Sequence, residues 1–202
     1  MLAKAASRRS LLLATPLVAV GALLPGLSTG LAAPPAVLSF KDKLPVSLDV
    51  AGIEVEDATP TMAADPDLQQ QLQITPADAV RLWAADKLKA VGSDGRARLV
   101  VRDASLKQTH LKVHKGISGW FHKDQSERYD GHVAVELVVD YPSRRFNGTA
   151  SAEASRSFTV PEGTKVEERR ALILKLVQDI MNDLDGAMDK SIRDNLFPVL
   201  VL

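Results

Sequence analysis

Apolar and polar residues alternate along three stretches of the chain in the period-two pattern of half-buried β-strands. In the first stretch, 46–56, two extra residues (Ala51 and Gly52) separate the alternating halves, which predicts one strand with a bulge or kink. The second stretch covers 96–113. The third, 132–141, is the clearest strand, because Val133, Val135, Leu137, Val139 and Tyr141 fall on one side.

A fourth alternating stretch, 146–160, carries small residues such as Gly148 on its apolar side, as expected where a helix approaches a sheet closely. A helical repeat of apolar residues follows and predicts a helix over 165–195, with a capping box formed by Thr164 and Glu167. At 1.5 Å per residue this helix would be on the order of 45 Å long, which is close to the length of the strand. The pattern therefore predicts a long helix lying along a long strand.

A shorter helix is predicted between the first two strands. Thr75 is placed to cap it, Pro76 suits its first turn, and Asp78 stands three residues after the cap. Apolar residues then recur at helical spacing until Gly92, which we interpret as the end of the helix. Trp83 lies in this apolar stripe, and we expect it to be a core residue rather than a ligand platform.

The predicted order of elements is β-α-β-β-β-α, which is an α+β fold. Links of hairpin length join the last three strands, which favours a mainly antiparallel sheet of about four strands with both helices packed on one face. Residues 57–73 contain two prolines and three successive glutamines, and they predict a mobile loop. Because this loop does not divide two cores, we interpret residues 45–202 as a single domain.

The N-terminus has the three parts of a secretory signal: a basic start, an apolar run over 11–24, and small residues before a cleavage site after Ala32. Arg8 and Arg9 stand directly before the apolar run and resemble the arginine pair of a twin-arginine export signal. The alternative is an uncleaved membrane anchor, which the prolines and glycines of the run disfavour. The sequence therefore predicts a periplasmic protein that begins with a flexible leader over 33–44.

The amino-acid composition excludes several classes of function. Removing the predicted signal, residues 1–32, takes away three basic residues and no acidic one, and leaves 22 basic against 25 acidic residues. This balance excludes a generally basic surface for binding nucleic acid. The chain has no cysteine, which excludes disulfides, thiolate catalysis and cysteine-ligated metal centres.

Four histidines, His110, His114, His122 and His132, fall close together in the sequence. Imidazole binds zinc and copper, but His110 and His114 would stand roughly 13 Å apart in an extended segment, too far to share one ion. We therefore predict neither a metal nor a cofactor, with His114 and His122 as the weak candidates. The alternative is a periplasmic enzyme or metal-binding protein that uses this histidine segment.

The segment before the third strand combines basic and aromatic residues. A hairpin loop is predicted over 115–130, with Trp120 and Phe121 at its tip and Lys115 and Lys123 on either side. Cations beside aromatic rings favour anionic, partly apolar partners, such as an anionic lipid surface or an envelope protein. The alternative is that the two aromatic residues fold back onto the core as a lid.

Two further features were interpreted structurally. Asp183 and Asp185 do not have the register of a calcium loop, and we expect them on the solvated face of the last helix. The C-terminal residues 196–202 are almost wholly apolar, so they either dock on the edge of the protein's own sheet or bind a partner. In the second case the protein would be a structural subunit that associates through this tail.

The order of elements, the export signal and the run from Ser155 to Leu196 resemble small envelope lipoproteins of Gram-negative bacteria. The lipopolysaccharide-assembly lipoprotein and the auxiliary lipoproteins of transport systems are the most similar in pattern. The chain departs from them because it lacks the cysteine that carries the lipid anchor. The resemblance implies a non-enzymatic binding or assembly module of the cell envelope, either soluble in the periplasm or peripherally attached to a membrane.

Overall fold

The structure is a computed structural model that describes residues 38–60, 66–111 and 125–201. The described helices and strands, in chain order, are β1 (Val46–Leu48), β2 (Ile53–Asp57), α1 (Pro66–Gln71), α2 (Pro76–Lys87), β3 (Leu88–Ala90), β4 (Arg96–His110), β5 (Gln125–Tyr141), β6 (Phe146–Pro161), α3 (Val166–Asn195) and β7 (Leu200–Val201). Single 3-10 turns follow β5 and α3.

A four-stranded sheet in the order β2-β4-β5-β6 forms the centre of the fold. β4, β5 and β6 are antiparallel neighbours, and β2 runs parallel to β4. The inner face of this sheet is apolar and packs against α2 and α3, with side chains such as Leu99, Leu137 and Ala150 fully buried. The predicted α+β class is confirmed, with a mainly antiparallel sheet of four strands and helices on one face.

The first predicted strand differs in detail, because its two halves belong to different sheets. β1 pairs parallel with β3 and antiparallel with β7, which makes a separate three-stranded sheet. The chain crosses between the sheets at residues 49–52, where Ala51 donates its backbone N–H to the carbonyls of Asp94 and Gly95. The two extra residues, Ala51 and Gly52, interrupt the alternation at the crossing, but they do not show that the pairing partner changes.

α2 begins as predicted and ends earlier than predicted. Thr75 Oγ1 accepts the backbone N–H of Asp78 at 3.1 Å, and Trp83 is fully buried. The helix stops at Lys87, because Leu88–Ala90 takes extended backbone and pairs with β1. Gly92 is therefore not the end of the helix.

α3 occupies almost the whole of its predicted range and lies along β6. Gly148 leaves room at the end of this helix, since a Cβ built there would lie 2.6 Å from Cζ of Phe146 and 2.7 Å from Cδ2 of Leu196, the C-cap residue of α3. The predicted capping box is absent: Lys165 is the N-cap residue without a side-chain cap, and Thr164 Oγ1 donates instead to the carbonyl of Pro161. Glu167 pairs with Arg170 in the first turn.

Two segments predicted to be loose contain ordered residues. Within the predicted leader, Phe40 is 2% exposed and donates its backbone N–H to the Asp86 carboxylate at 3.0 Å. Within the predicted loop at 57–73, residues Pro66–Gln71 form α1, and Leu68 is buried in the core.

A buried ionic cluster joins α2 to α3. Asp185, which we had expected on the solvated face of α3, is 5% exposed, and Lys87 is 2% exposed. Asp185 Oδ1 accepts the indole N–H of Trp83 at 2.9 Å and lies 3.1 Å from Lys87 Nζ. Lys87 also reaches Asp189 Oδ2 at 3.2 Å, and Lys43 Nζ lies 3.6 Å from Asp185 Oδ2. The expectation for Asp185 is wrong, because these partners offset the cost of burying its charge.

The cluster predicts how stability depends on pH. Burial by itself would raise the pKa of Asp185, but the hydrogen bonds from Trp83 and Lys87 and the charges of Lys87 and Lys43 outweigh burial and lower it below the ordinary 3.8. A carboxyl whose pKa is lower in the folded than in the unfolded state adds stability above its unfolded pKa, and the protein loses this stability as pH falls through the folded value. Urea unfolding from pH 7 down to pH 2 should therefore show a steeper loss of stability below about pH 4 for wild type than for Asp185→Asn. Parallel curves for the two proteins would contradict this assignment.

Candidate functional site

The candidate site is the end of the four-stranded sheet where β4 turns back into β5. The two strands remain paired as far as His110 opposite Glu127, and Leu111 donates its backbone N–H to the carbonyl of Ser126 at 2.8 Å. Residues 112–124 therefore connect adjacent antiparallel strands, as predicted for a hairpin. The strand begins at Gln125, so residues 125–130, which we had predicted as loop, belong to β5.

The residues that sequence analysis singled out in this hairpin lie outside the described part of the structure. They are Lys115, Trp120, Phe121 and Lys123 as contact residues, and His114 and His122 as weak metal candidates. The structure places the strands that flank them and leaves their predicted roles untested. The signal residues Arg8, Arg9 and Ala32 also lie outside the described ranges.

The inner side of the hairpin base is tied to the start of α3. Glu127 Oε2 accepts the phenol hydroxyl of Tyr129 at 2.9 Å and lies 3.0 Å from Arg169 Nε. The Tyr129 ring stacks on Phe158 of β6, with ring centroids 5.1 Å apart. Both aromatic rings and the ion pair are held by two strands and a helix, so the base of the hairpin has a fixed position on the core. Sequence analysis did not identify Arg169, which is 42 residues away from Glu127.

The outer side of the hairpin base faces away from the helices. Arg128 donates from Nε to Asp130 Oδ1 at 2.8 Å and from Nη2 to Ser157 Oγ at 3.3 Å. The hydrogen bond and the charge of Asp130 raise the pKa of the Arg128 guanidinium above its ordinary value. Lys107, opposite Asp130 on β4, makes no ion pair with any residue that the structure describes.

The two described histidines lie on opposite faces of the sheet. His110 is in the same alternating set as Leu106, which faces the core, whereas His132 faces outward, with Nδ1 3.1 Å from Asp103 Oδ2. A sheet therefore separates the two imidazoles, and they do not meet at one ion. Across residues 38–60, 66–111 and 125–201, no group of three histidine or carboxylate side chains is arranged to hold a metal.

The apolar C-terminal tail docks on the protein itself. Leu196 and Val199 are buried, and Leu200 pairs with Leu48 at the edge of the small sheet. Phe197 remains 66% exposed. Of the two predicted arrangements for this tail, docking on its own sheet edge is the one present. Among the described helices, none combines the length and the apolar character needed to cross a bilayer.

No protein-family model matches the chain, and no curated protein is significantly similar to it in sequence. Solved structures with a similar arrangement include rare lipoprotein B from Shewanella oneidensis, with 15% identity, a TM-score of 0.34, and coverage of 69% of this chain and 92% of that one. Protein XCC0632 from Xanthomonas campestris has 14% identity, a TM-score of 0.33, and coverage of 77% and 91%. A minor lipoprotein from Acinetobacter baumannii has 10% identity, a TM-score of 0.30, and coverage of 72% and 95%. Two of these three proteins are lipoproteins, the class that the order of elements resembles. Because the identities and TM-scores are low, these similarities assign no role to any residue of the chain and no function to the protein.

Proposed function

We propose that this protein is an exported, non-enzymatic binding or assembly module of the bacterial envelope that makes contact through the hairpin between β4 and β5. The observation that supports the proposal is the continuous pairing of these strands from Asp103 as far as His110 opposite Glu127. The segment between the two strands, residues 112–124, contains three lysines, one aspartate and the two aromatic residues Trp120 and Phe121.

The anchored base of the hairpin favours a contact surface. Tyr129 and Phe158 stack on each other at this end of the inner face, and Arg169 Nε lies 3.0 Å from Glu127 Oε2 beside them. Lysines beside aromatic rings suit an anionic membrane surface, where the rings enter the interface and the ammonium groups remain near the head groups.

The twin-arginine signal and the place of action in the periplasm are part of the same proposal. They rest on Arg8, Arg9 and the cleavage site after Ala32. A basic, aromatic hairpin is one way in which an exported domain can attach to a membrane surface. An envelope protein with an acidic, apolar groove is the alternative partner.

The test is the double substitution Trp120→Ser and Phe121→Ser, with Trp83→Ser as the matched control. If the hairpin is a contact surface, the double variant should lose less than about 1 kcal/mol of unfolding free energy, whereas emptying the Trp83 site should cost about 3–5 kcal/mol. The double variant should also sediment less than wild type with phosphatidylcholine vesicles that contain phosphatidylglycerol. Wild-type sedimentation should fall with added salt, because Lys115 and Lys123 supply a screened attraction.

Two results would overturn the proposed contact. The double variant could lose as much stability as Trp83→Ser, which would place the two aromatic residues in the core. It could also sediment with the vesicles as well as wild type does, which would remove the hairpin from the contact. Lys115→Gln combined with Lys123→Gln should weaken sedimentation without loss of stability.

A further inference from the structure

The outer face of the four-stranded sheet carries a polar depression that the proposed hairpin contact does not use. The strand register places Ser105, His132 and Ser155 side by side on β4, β5 and β6, with Lys107 and Ser157 two residues further towards the hairpin. Residues two apart on a strand share a face, so these side chains point to the same side of the sheet. Together with Arg128 they line a depression with a volume of about 410 Å³.

The acidic groups of this depression already have partners. Asp130 accepts from Arg128 Nε at 2.8 Å, and Asp103 lies 3.1 Å from His132 Nδ1. An ionised carboxylate only accepts, so the His132 Nδ1 atom carries the proton of that contact and its Nε2 is left for another partner. Lys107 makes no ion pair with any described residue, so its ammonium is available to a ligand beside the Arg128–Asp130 pair.

Several donors on three strands are available to one ligand. The Lys107 ammonium and the hydroxyls of Ser105 and Ser155 make no hydrogen bond within the described residues, and Arg128 uses Nε and Nη2 while Nη1 makes no contact with them. A single arginine can bind a planar carboxylate with two parallel hydrogen bonds. An ammonium and hydroxyls that surround a depression match an oxyanion whose acceptor atoms point in several directions.

We propose that this depression binds a phosphate-type oxyanion, through Lys107 and Arg128 with the hydroxyls of Ser105 and Ser155. The phosphate could belong to a soluble phosphomonoester or to a lipid head group, and the chemistry of recognition is the same. All four residues lie outside the hairpin segment 112–124. The phosphate site can therefore be tested independently of the membrane contact proposed above.

The first arm of the test uses the exported full-length protein and glycerol 3-phosphate as a soluble probe. Amide shifts of β4, β5 and β6 are followed by NMR while the probe is added. We expect saturable shifts at Ser105, Lys107 and Ser155, and an affinity reduced about tenfold in Lys107→Gln, since one charge-assisted hydrogen bond is lost. Lys41→Gln removes the same charge from an exposed lysine elsewhere and should leave the affinity unchanged.

The second arm replaces the probe with phosphatidylcholine vesicles that contain phosphatidylglycerol, in the background of the Trp120→Ser, Phe121→Ser variant. Saturable binding of glycerol 3-phosphate that Lys107→Gln weakens identifies a site for soluble phosphates. Binding to the vesicles alone, again weakened by Lys107→Gln, identifies the lipid head group as the source. Binding to neither probe, or an equal loss in Lys107→Gln and Lys41→Gln, would show that the depression is only a solvated face and would overturn the proposal. If the Trp120→Ser, Phe121→Ser variant sediments as well as wild type while phosphate binding is retained, only the proposed function is contradicted.

Discussion

Replacing Asp185 with alanine is expected to lower the free energy of unfolding by about 3–5 kcal/mol, because it removes one partner of a buried charge pair. The substitution leaves the Lys87 ammonium, which is 2% exposed, with Asp189 as its remaining partner. It also removes the acceptor of the Trp83 indole N–H. The measurement is urea unfolding at pH 7, followed by the fluorescence of the tryptophans, with the midpoint compared at equal slope.

Asp183→Ala is the matched control for this prediction. Asp183 also binds a cation, Arg156, at 2.6 Å, but both side chains of this pair are about half exposed to solvent. Its loss should cost less than about 1 kcal/mol. The double variant Lys87→Met, Asp185→Leu should lose less stability than Asp185→Ala, because no uncompensated charge is left in the core. Equal losses for Asp183→Ala and Asp185→Ala would show that the cluster contributes no more than a surface pair.

The sequence contains a sign of this cluster. Asp185 stands four residues after Met181 and three before Met188, which places it on the apolar face of α3. Lys87 stands four residues after Trp83 and so lies on the apolar face of α2. Opposite charges on the buried faces of two helices that pack on the same sheet predict a buried pair. Asp183 lies outside that face and was correctly expected in solvent.

Local signals predicted the elements of the fold better than their ends. The start of α2 and nearly the whole of α3 were predicted because caps and helical periodicity depend on residues a few positions apart. The end of α2 was not, because Leu88–Ala90 becomes a strand only through pairing with β1, some 40 residues earlier in the chain. That pairing is a tertiary interaction, and it overrides the helical preference of the segment.

The site shows the same division. The hairpin followed from alternation in β4 and β5, but the row of Ser105, His132 and Ser155 depends on a bulge between Val101 and Asp103. One extra residue there moves every later side chain of β4 to the opposite face, so that Leu106 faces the core and Ser105 faces outward. Without the bulge, alternation from Leu99 and Val101 would have placed Ser105 inside. No residue type near the bulge distinguishes it from regular strand.

Gly92→Ala is expected to destabilise the protein by about 2–3 kcal/mol, near the upper end of what overpacking usually costs. A Cβ at this position would lie 2.6 Å from the backbone carbon of Asp49 and 2.7 Å from the backbone nitrogen of Val50. Since a backbone cannot move aside as a side-chain end can, the connection between β3 and β4 would have to shift away from β1. That shift would also strain the hydrogen bond from Gly92 N to the carbonyl of Val50, which measures 3.1 Å.

Gly52→Ala is the control, because a Cβ at Gly52 would meet no atom within 4 Å. Its effect should be below about 1 kcal/mol in either direction, with the stiffer unfolded chain favouring a small gain.

The substitution Asp49→Ala then separates two origins of the stability loss in Gly92→Ala. The added Cβ would also lie 2.3 Å from Oδ1 of Asp49, and removing that side chain relieves this contact and leaves the two backbone contacts. Most of the loss should therefore persist in Gly92→Ala, Asp49→Ala when it is compared with Asp49→Ala alone. Full recovery would mean that only the carboxylate stood in the way, and that the close passage of the two backbones does not explain why glycine occupies this position.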